Sequence, residues 1–294
     1  MIDAKVHSLF TYPVKSLAGI ELSSSTLSSS GLQHDRQWAI FRDDHHPLTQ
    51  RKNPRMVLIQ PKIDASRLTL SAKGFGNISV SDSDFDERGN RQERSDNACF
   101  IWRDTCYTQG QLSQEKQKGV SQWLCDVLKE PQNLSLAKVD THHPRKFIHP
   151  ERFNVQASYF SDAAPYLIVN QGSLDALNQR CRKQDLTEVD IRHFRPNIVI
   201  EGIEAFSEHQ FSSMQVKGAE CLFRLVDHCQ RCAMITVQPD TGEYLPKAHP
   251  FKTLAQLNSM PNTPKAPAFG VNACVINPGS NASIRVGQSL NLAQ

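Results

Sequence analysis

The chain lacks any apolar run near the roughly eighteen residues that a bilayer-crossing helix needs, so no helical membrane span is expected. It also lacks a strong charge of either sign. Lysine and arginine number 33 against 30 acidic residues, a formal net charge of +3, and the two signs are interleaved. A nucleic-acid partner would gather basic residues on one segment, so none is expected. A disulfide framework is missing too: eight cysteines fall at irregular spacing. Met1-Ile2-Asp3-Ala4-Lys5 leads straight into a strand pattern rather than through a secretory leader, so free thiols, a cytoplasmic location and no membrane partner are expected. With 294 residues the chain can bury a sizeable core without staples. Internal repeats are absent, and so is the regular strand-helix alternation of a doubly wound sheet.

What the chain does have is a succession of short strand patterns. Lys5 to Lys15, Ile20 to Leu22, Gln37 to Phe41, Met56 to Ile63, Arg67 to Ser71, Asn77 to Ser81 and Cys99 to Tyr107 carry strand-like runs broken by turn residues. Ser81 to Ala98 is almost wholly polar and reads as a solvated loop. Gly119 to Lys129 places Val120, Trp123, Leu124, Val127 and Leu128 on one helical face, all expected in the core. A second helix is predicted from an N-cap at Ser173 to about Arg182, and a third over Pro250 to Met260. Asp190 to Glu201, Cys221 to Asp227, Ala233 to Val237, Val271 to Ile276 and Ser283 to Leu292 read as further strands. The prediction is an α+β, β-rich protein with a few helices. Residues 1–115 form an N-terminal β-rich domain and residues 116–294 a second domain.

Chemistry concentrates between Val226 and Glu243, where Cys229 and Cys232 flank Arg231 ahead of a Pro239-Asp240-Thr241-Gly242 turn. A fixed cation beside a thiol favours the thiolate, the form that binds metals and attacks electrophiles, so Cys232 beside Arg231 is the first candidate, with Cys229 as a buried neighbour. Other readings stay open. Both cysteines could be packing residues, or a structural zinc could recruit His228 and Cys221. A redox dithiol would need the pair to open a helix, whereas a strand is predicted after it. His45, His46, His142, His143 and His149 could suggest a metal but are read as solvated loop residues.

Four segments taken together resemble the MOSC family. They are Tyr12-Pro13-Val14-Lys15-Ser16, Asp35-Arg36 followed by Trp38, Phe194-Arg195-Pro196-Asn197-Ile198-Val199-Ile200, and Arg231-Cys232 followed by Thr236-Val237 and Pro239-Asp240-Thr241-Gly242, in that order. The resemblance spans nearly the whole chain and is strongest to amidoxime-reducing components and bacterial reductases of N-hydroxylated bases. It implies a MOSC-type β-barrel after an N-terminal partner domain, and a molybdenum cofactor whose metal is bound by Cys232. Lys15, Arg36 and Arg195 would hold the cofactor's phosphate and pterin, with further contacts from Ser16 and the loop carrying Ser161 and Asp162. Asn197 would lie near the metal, with Arg231, Thr236 and Asp240 around the metal-bearing segment and Asp240 a candidate catalytic group or simply a turn former. Relatives of this kind often have Asp in place of Gln238, and Ser or Thr in place of Ala163 and Ala164. The residue chemistry agrees: a phosphorylated pterin needs arginine forks and a lysine point charge, and a soft thiolate suits a polarisable metal.

The implied activity is reduction of the N–O bond of a small N-hydroxylated substrate. The alternative is sulfur transfer through a Cys232 persulfide. After Cys232 only Cys274 remains, short of the four cysteines of a plant-type iron-sulfur cluster, so electrons are expected from outside. The donor would be a flavoprotein reductase or an iron-sulfur protein, a ferredoxin domain absent from this chain included.

Overall fold

The most apolar stretches of the chain become the staves of a closed barrel in the computed structural model, which describes residues 2–85, 98–102, 104–131, 133–143, 145, 152, 158–276 and 278–294. Its strands are β1 (Ile2–Thr11), β2 (Tyr166–Asn170), β3 (Ile198–Glu201), β4 (Ser213–Val216), β5 (Leu222–Gln230), β6 (Thr263–Ile276) and β7 (Ser289–Ala293). They run in the order β2-β3-β1-β7-β4-β5-β6, and β6 returns to pair with β2. Closure leaves no free edge around the ring. Period-2 patterning fills the interior: Met214 and Val216 from β4, Phe223 and Leu225 from β5, and Leu290 and Leu292 from β7 share one core with Tyr166. The Tyr166 and Phe223 rings meet edge to face with centroids 5.1 Å apart.

The pairing of β2 with β3 is parallel, with Ile168 opposite Ile198. Parallel neighbours need a crossover, supplied by helix α2 (Gln171–Lys183), which lays Leu174, Leu177 and Cys181 against the barrel wall. The helix starts earlier than the sequence predicts: Asn170 is the N-cap and its side chain accepts from the Gly172 N–H at 3.0 Å. Ser173 lies inside the helix and donates to the buried Glu208 carboxylate. At Gly270, where β6 runs against β2, φ is +76° and an added Cβ would lie 2.4 Å from Val169 Cγ1 and 2.6 Å from the Ile168 carbonyl oxygen. Only glycine fits that approach.

The N-terminal stretch makes its own core. A three-stranded sheet (Gln60–Asp64, Arg67–Ala72, Gly76–Val80), a pair formed by Trp38–Phe41 and Ser135–Lys138, and helix α1 (Gln114–Leu128) bury Trp38, Ile40, Met56, Leu68, Leu70, Val120, Leu124 and Val127 together. Trp123 only borders this core, and its indole N–H donates to the Phe75 carbonyl at 2.9 Å. The two halves interlock, because β1 pairs with β3 and β7 while the chain just beyond it, at Val14, bridges to Trp38.

Three predicted strands are replaced wholly or partly by tight 3-10 turns. Pro54–Leu58 is capped by the Asn53 side chain, Ile191–His193 by Asp190, and Ala233–Thr236 follows Cys232. In the first two, a local side-chain cap outcompetes the strand ladder. The third helix, α3, is the short Phe251–Leu257. Residues 86–97 of the polar stretch, and His149, lie outside the described residues. Among the described residues no helix is long and apolar enough to cross a membrane. No disulfide joins any of the eight cysteines.

Candidate active site

Three chain segments turn sharply where β1 ends, and each presents a cation. Beyond Thr11 the chain is pinned by the Lys15 N–H bonding to the Trp38 carbonyl at 2.8 Å, and the Arg36 N–H bonding to that of Tyr12 at 2.8 Å. Ser16, Arg36 and Arg195 take left-handed φ values of 66°, 47° and 54°. Non-glycine residues carry a steric cost there, and such strain gathers at functional sites.

The Arg36 guanidinium binds both oxygens of buried Asp35 at 2.8 and 2.6 Å and reaches Asn197 Oδ1 at 3.2 Å. The Arg195 guanidinium donates to the Leu17 carbonyl at 2.5 Å. Both lie over the Tyr12 ring, at 4.4 and 4.2 Å from its centroid, in cation–π contact. Burial pushes the Tyr12 hydroxyl up to about 12 and brings Arg195 down to about 10. The Tyr12 hydroxyl is buried with no hydrogen-bond partner. Gly19 makes room for the ring, since a Cβ there would sit 2.5 Å from Tyr12 Cε1.

Lys15 is buried; its ammonium donates to the Phe160 carbonyl at 2.9 Å and ion-pairs with Asp162. Burial lowers the Lys15 ammonium from its ordinary value, against the opposing pull of Asp162. Burial raises the Asp162 carboxyl, but Lys15, Arg51 and the Trp102 indole outweigh it and hold it at about 2. The loop bearing Ser161 and Asp162 is fixed by Arg145, only 1% exposed, which binds Asp104 Oδ2 at 2.8 Å and the Ser161 carbonyl at 2.5 Å. Nothing in the sequence singled out Arg145, because its partners are backbone carbonyls and an aspartate 41 residues away.

The thiol segment corrects the sequence reading in detail. Cys232 stands where β5 has ended and the 3-10 turn begins, half-buried. Arg231 does not point at it. Its guanidinium donates to Cys229 Sγ at 3.0 Å and to the Phe194 carbonyl at 2.7 Å, leaving a buried Nε with no partner. The cation at Cys232 is Arg51, from the N-terminal half, with Nη1 3.9 Å from the sulfur. Cys229, expected buried, is half-exposed. His228 and Cys221 assemble no metal cluster among the described residues.

A cavity of about 160 Å³ joins these parts, lined by Lys15, Ser16, Arg36, Ser161, Asp162, Arg195, Asn197, Arg231 and Cys232 together with Ala163, Ala164 and Cys229. Two predicted residues lie elsewhere. Thr236 is buried behind the turn with its hydroxyl donating to the Ala233 carbonyl at 2.7 Å. The Asp240 side chain is 62% exposed, paired with Arg192 at 2.7 and 3.0 Å, and faces a separate hollow with Arg55 and Phe75. Asn197 lines the cavity, but its side chain also accepts from the Leu167 N–H and donates to the Phe10 carbonyl, tying three strands together. Lys15, Arg36, Arg195 and Arg231 outnumber the two carboxylates, Asp35 and Asp162, that accompany them. With a spare buried N–H on Arg231 as well, the donor set fits a ligand of negative charge carrying several acceptor oxygens.

Residues 3–131 match the MOSC N-terminal beta barrel domain and residues 156–291 the MOSC domain. Mitochondrial amidoxime-reducing component 1 of Homo sapiens is 30% identical, over 98% of this chain and 82% of the human one. The chain belongs to the MOSC family. Mitochondrial amidoxime reducing component 2 of Bos taurus is 28% identical over 94% of this chain and 80% of its own. Molybdenum cofactor sulfurase of the same species is also 28% identical, over 81% of this chain but 27% of the sulfurase. Membership accords with a strand-rich barrel bearing few helices and associates the chain with the molybdenum cofactor.

Proposed function

We propose that this MOSC protein is a molybdenum-cofactor-dependent reductase of N-hydroxylated compounds: hydroxylaminopurines, amidoximes and hydroxylamines. The observation that carries the reading is the convergence of four cations from distant segments on one cavity that also holds the Cys232 thiol. Lys15, Arg36 and Arg195 would hold the phosphate and pterin, and the Cys232 thiolate would ligate the metal. When bound, the cofactor supplies the two-electron reduction of the N–O bond. The protein's own work is electrostatic and geometric. Guanidiniums already largely removed from water favour an anion without reorganising, and Tyr12 keeps two of them, Arg36 and Arg195, in place. Asp162, held ionised, accepts from both Lys15 and the Trp102 indole and so links the anion-binding end to an exposed ring beside the cavity.

Overall, an N-hydroxylated base, two electrons and two protons give the amine-type base and water. An electron donor separate from this chain, a flavoprotein reductase or an iron-sulfur protein, would complete the cycle. Two relatives bear the word component in their names, which accords with activity shared among proteins.

The match to a sulfurase supports a second reading, in which Cys232 carries a persulfide and transfers sulfur. One set of measurements separates the two. Purified protein reconstituted with cofactor is assayed for molybdenum and for reduction of benzamidoxime and N-hydroxylated purines with a chemical electron source. Stoichiometric molybdenum lost in Cys232→Ala, with turnover, supports the reductase. Cyanide-releasable sulfur without molybdenum would replace it with the second reading.

A further inference from the structure

One side chain from outside the cavity lining reaches the same sulfur, and two aromatic residues contact it in turn. Arg51 sits 3.9 Å from Cys232 Sγ through Nη1, and its guanidinium carbon lies 4.6 Å from the centroid of the Trp102 ring. The Trp102 indole N–H donates to Asp162 Oδ1 at 3.3 Å, and the Tyr244 hydroxyl donates to the Arg51 carbonyl at 3.4 Å. Arg51 thus links the thiol to an indole through its guanidinium and to a phenol through its backbone carbonyl. Trp102 is 60% exposed and Tyr244 52%, although burying rings of this size would release the most apolar surface. Trp102 also has φ +59°, a left-handed conformation rare for a bulky residue, in the hairpin between Ala98–Ile101 and Asp104–Tyr107. An exposed indole, held by its N–H on a fixed carboxylate and supported on strained backbone, is a positioned surface.

We propose that Trp102 and Arg51 form a substrate platform that selects flat, conjugated N-hydroxylated groups, amidoximes and heteroaromatic bases, over aliphatic hydroxylamines. The inference rests on the reductase reading above for the chemistry of the substrate. An amidoxime carbon and its nitrogens form a planar conjugated group much like a guanidinium, and the platform already stacks a guanidinium on an indole. Flat π-faces gain from such stacking whatever their edge pattern, whereas an aliphatic hydroxylamine presents no face. Neither residue belongs to the motifs that carry the family resemblance; both come from the N-terminal half of the chain, where Arg51 meets Cys232 and Trp102 packs on Arg51.

The test uses the full chain and two readouts. Calorimetric titration with adenine, an uncharged flat base with no N–O bond, needs no turnover. The Trp102→Leu variant is expected to raise the adenine Kd about tenfold and Trp102→Phe to recover most of the loss, as for stacking on an aromatic platform. In turnover with a chemical electron source, the ratio of kcat/KM for benzamidoxime to that for N-cyclohexylhydroxylamine is expected to fall about tenfold in Trp102→Leu. An unchanged Kd and ratio in Trp102→Leu, or no adenine binding to the parent chain, would overturn the platform while leaving N–O reduction in place. Adenine binding that depends on Trp102, in a chain that reduces no N-hydroxylated substrate, would uphold the platform and remove the reductase reading.

Discussion

Replacing Asp162 with asparagine tests how the cationic cavity is balanced before a ligand arrives. Asp162 is the carboxylate partner of the buried Lys15 ammonium, whose other contact is the Phe160 carbonyl. Its carboxyl is held at about 2 against an ordinary 3.8, a stabilisation of about 2.5 kcal/mol if fully shielded. The side chain is 42% exposed, and solvent screening reduces this to about 1 kcal/mol. A carboxyl lowered by folding contributes stability above its unfolded value near 3.8, and that contribution is lost as pH falls towards 2. Asp162→Asn is therefore expected to melt a few degrees lower at pH 7, on the basis of roughly 2–4 °C per kcal/mol for a chain of this order of size. The difference should shrink as the pH is lowered towards 3. Inorganic phosphate, able to replace the missing carboxylate beside Lys15, should raise the melting temperature of the variant more than that of the parent, with sodium chloride at equal ionic strength as the control. Scanning calorimetry of both proteins with and without phosphate reads these shifts. Equal melting temperatures, or equal phosphate shifts, would refute the idea that Asp162 stands in for the anion.

Three further outcomes follow from particular contacts. Cys232→Ala should abolish molybdenum binding while Cys229→Ala, which removes only the sulfur facing Arg231, retains most of it, as read by metal analysis after reconstitution. Gly270→Ala should destabilise the fold by several kcal/mol in urea titration, because the new methyl meets β2 backbone at a left-handed position. Burial raises the Glu208 carboxyl to about 7, so its folded form resists ionising and stability falls by about 3 kcal/mol between pH 4.5 and 7. Burial lowers neighbouring His209 to about 4, which raises stability by a similar amount between pH 4 and 6.5, so the two nearly cancel in the parent. Glu208→Gln should expose the rising histidine slope in urea titrations across that range, and a level profile in the variant would count against the assignment.

The amino-acid sequence by itself determined the parts. Alternating apolar residues dictated short strands in number, the spacing of Val120, Leu124 and Val127 dictated a helix, and the segments around Lys15, Arg36, Arg195 and Cys232 announced the cation and thiol chemistry. Local caps lay just beyond what patterning reveals: Asn53, Asp190 and Asn170 each moved an element boundary through one side-chain hydrogen bond. Tertiary structure alone decided which cation meets which sulfur. Arg231 neighbours Cys232 in the chain, yet β5 ends between Cys229 and Cys232 and aims the guanidinium at Cys229, leaving Arg51 to approach Cys232 across 181 residues. The same holds for Asp240, which the turn after Pro239 points to Arg192, and for Arg145, whose whole role is set by carbonyls of a loop it does not adjoin. Strand register and left-handed turns aim these side chains, and both are settled by contacts between residues far apart in sequence.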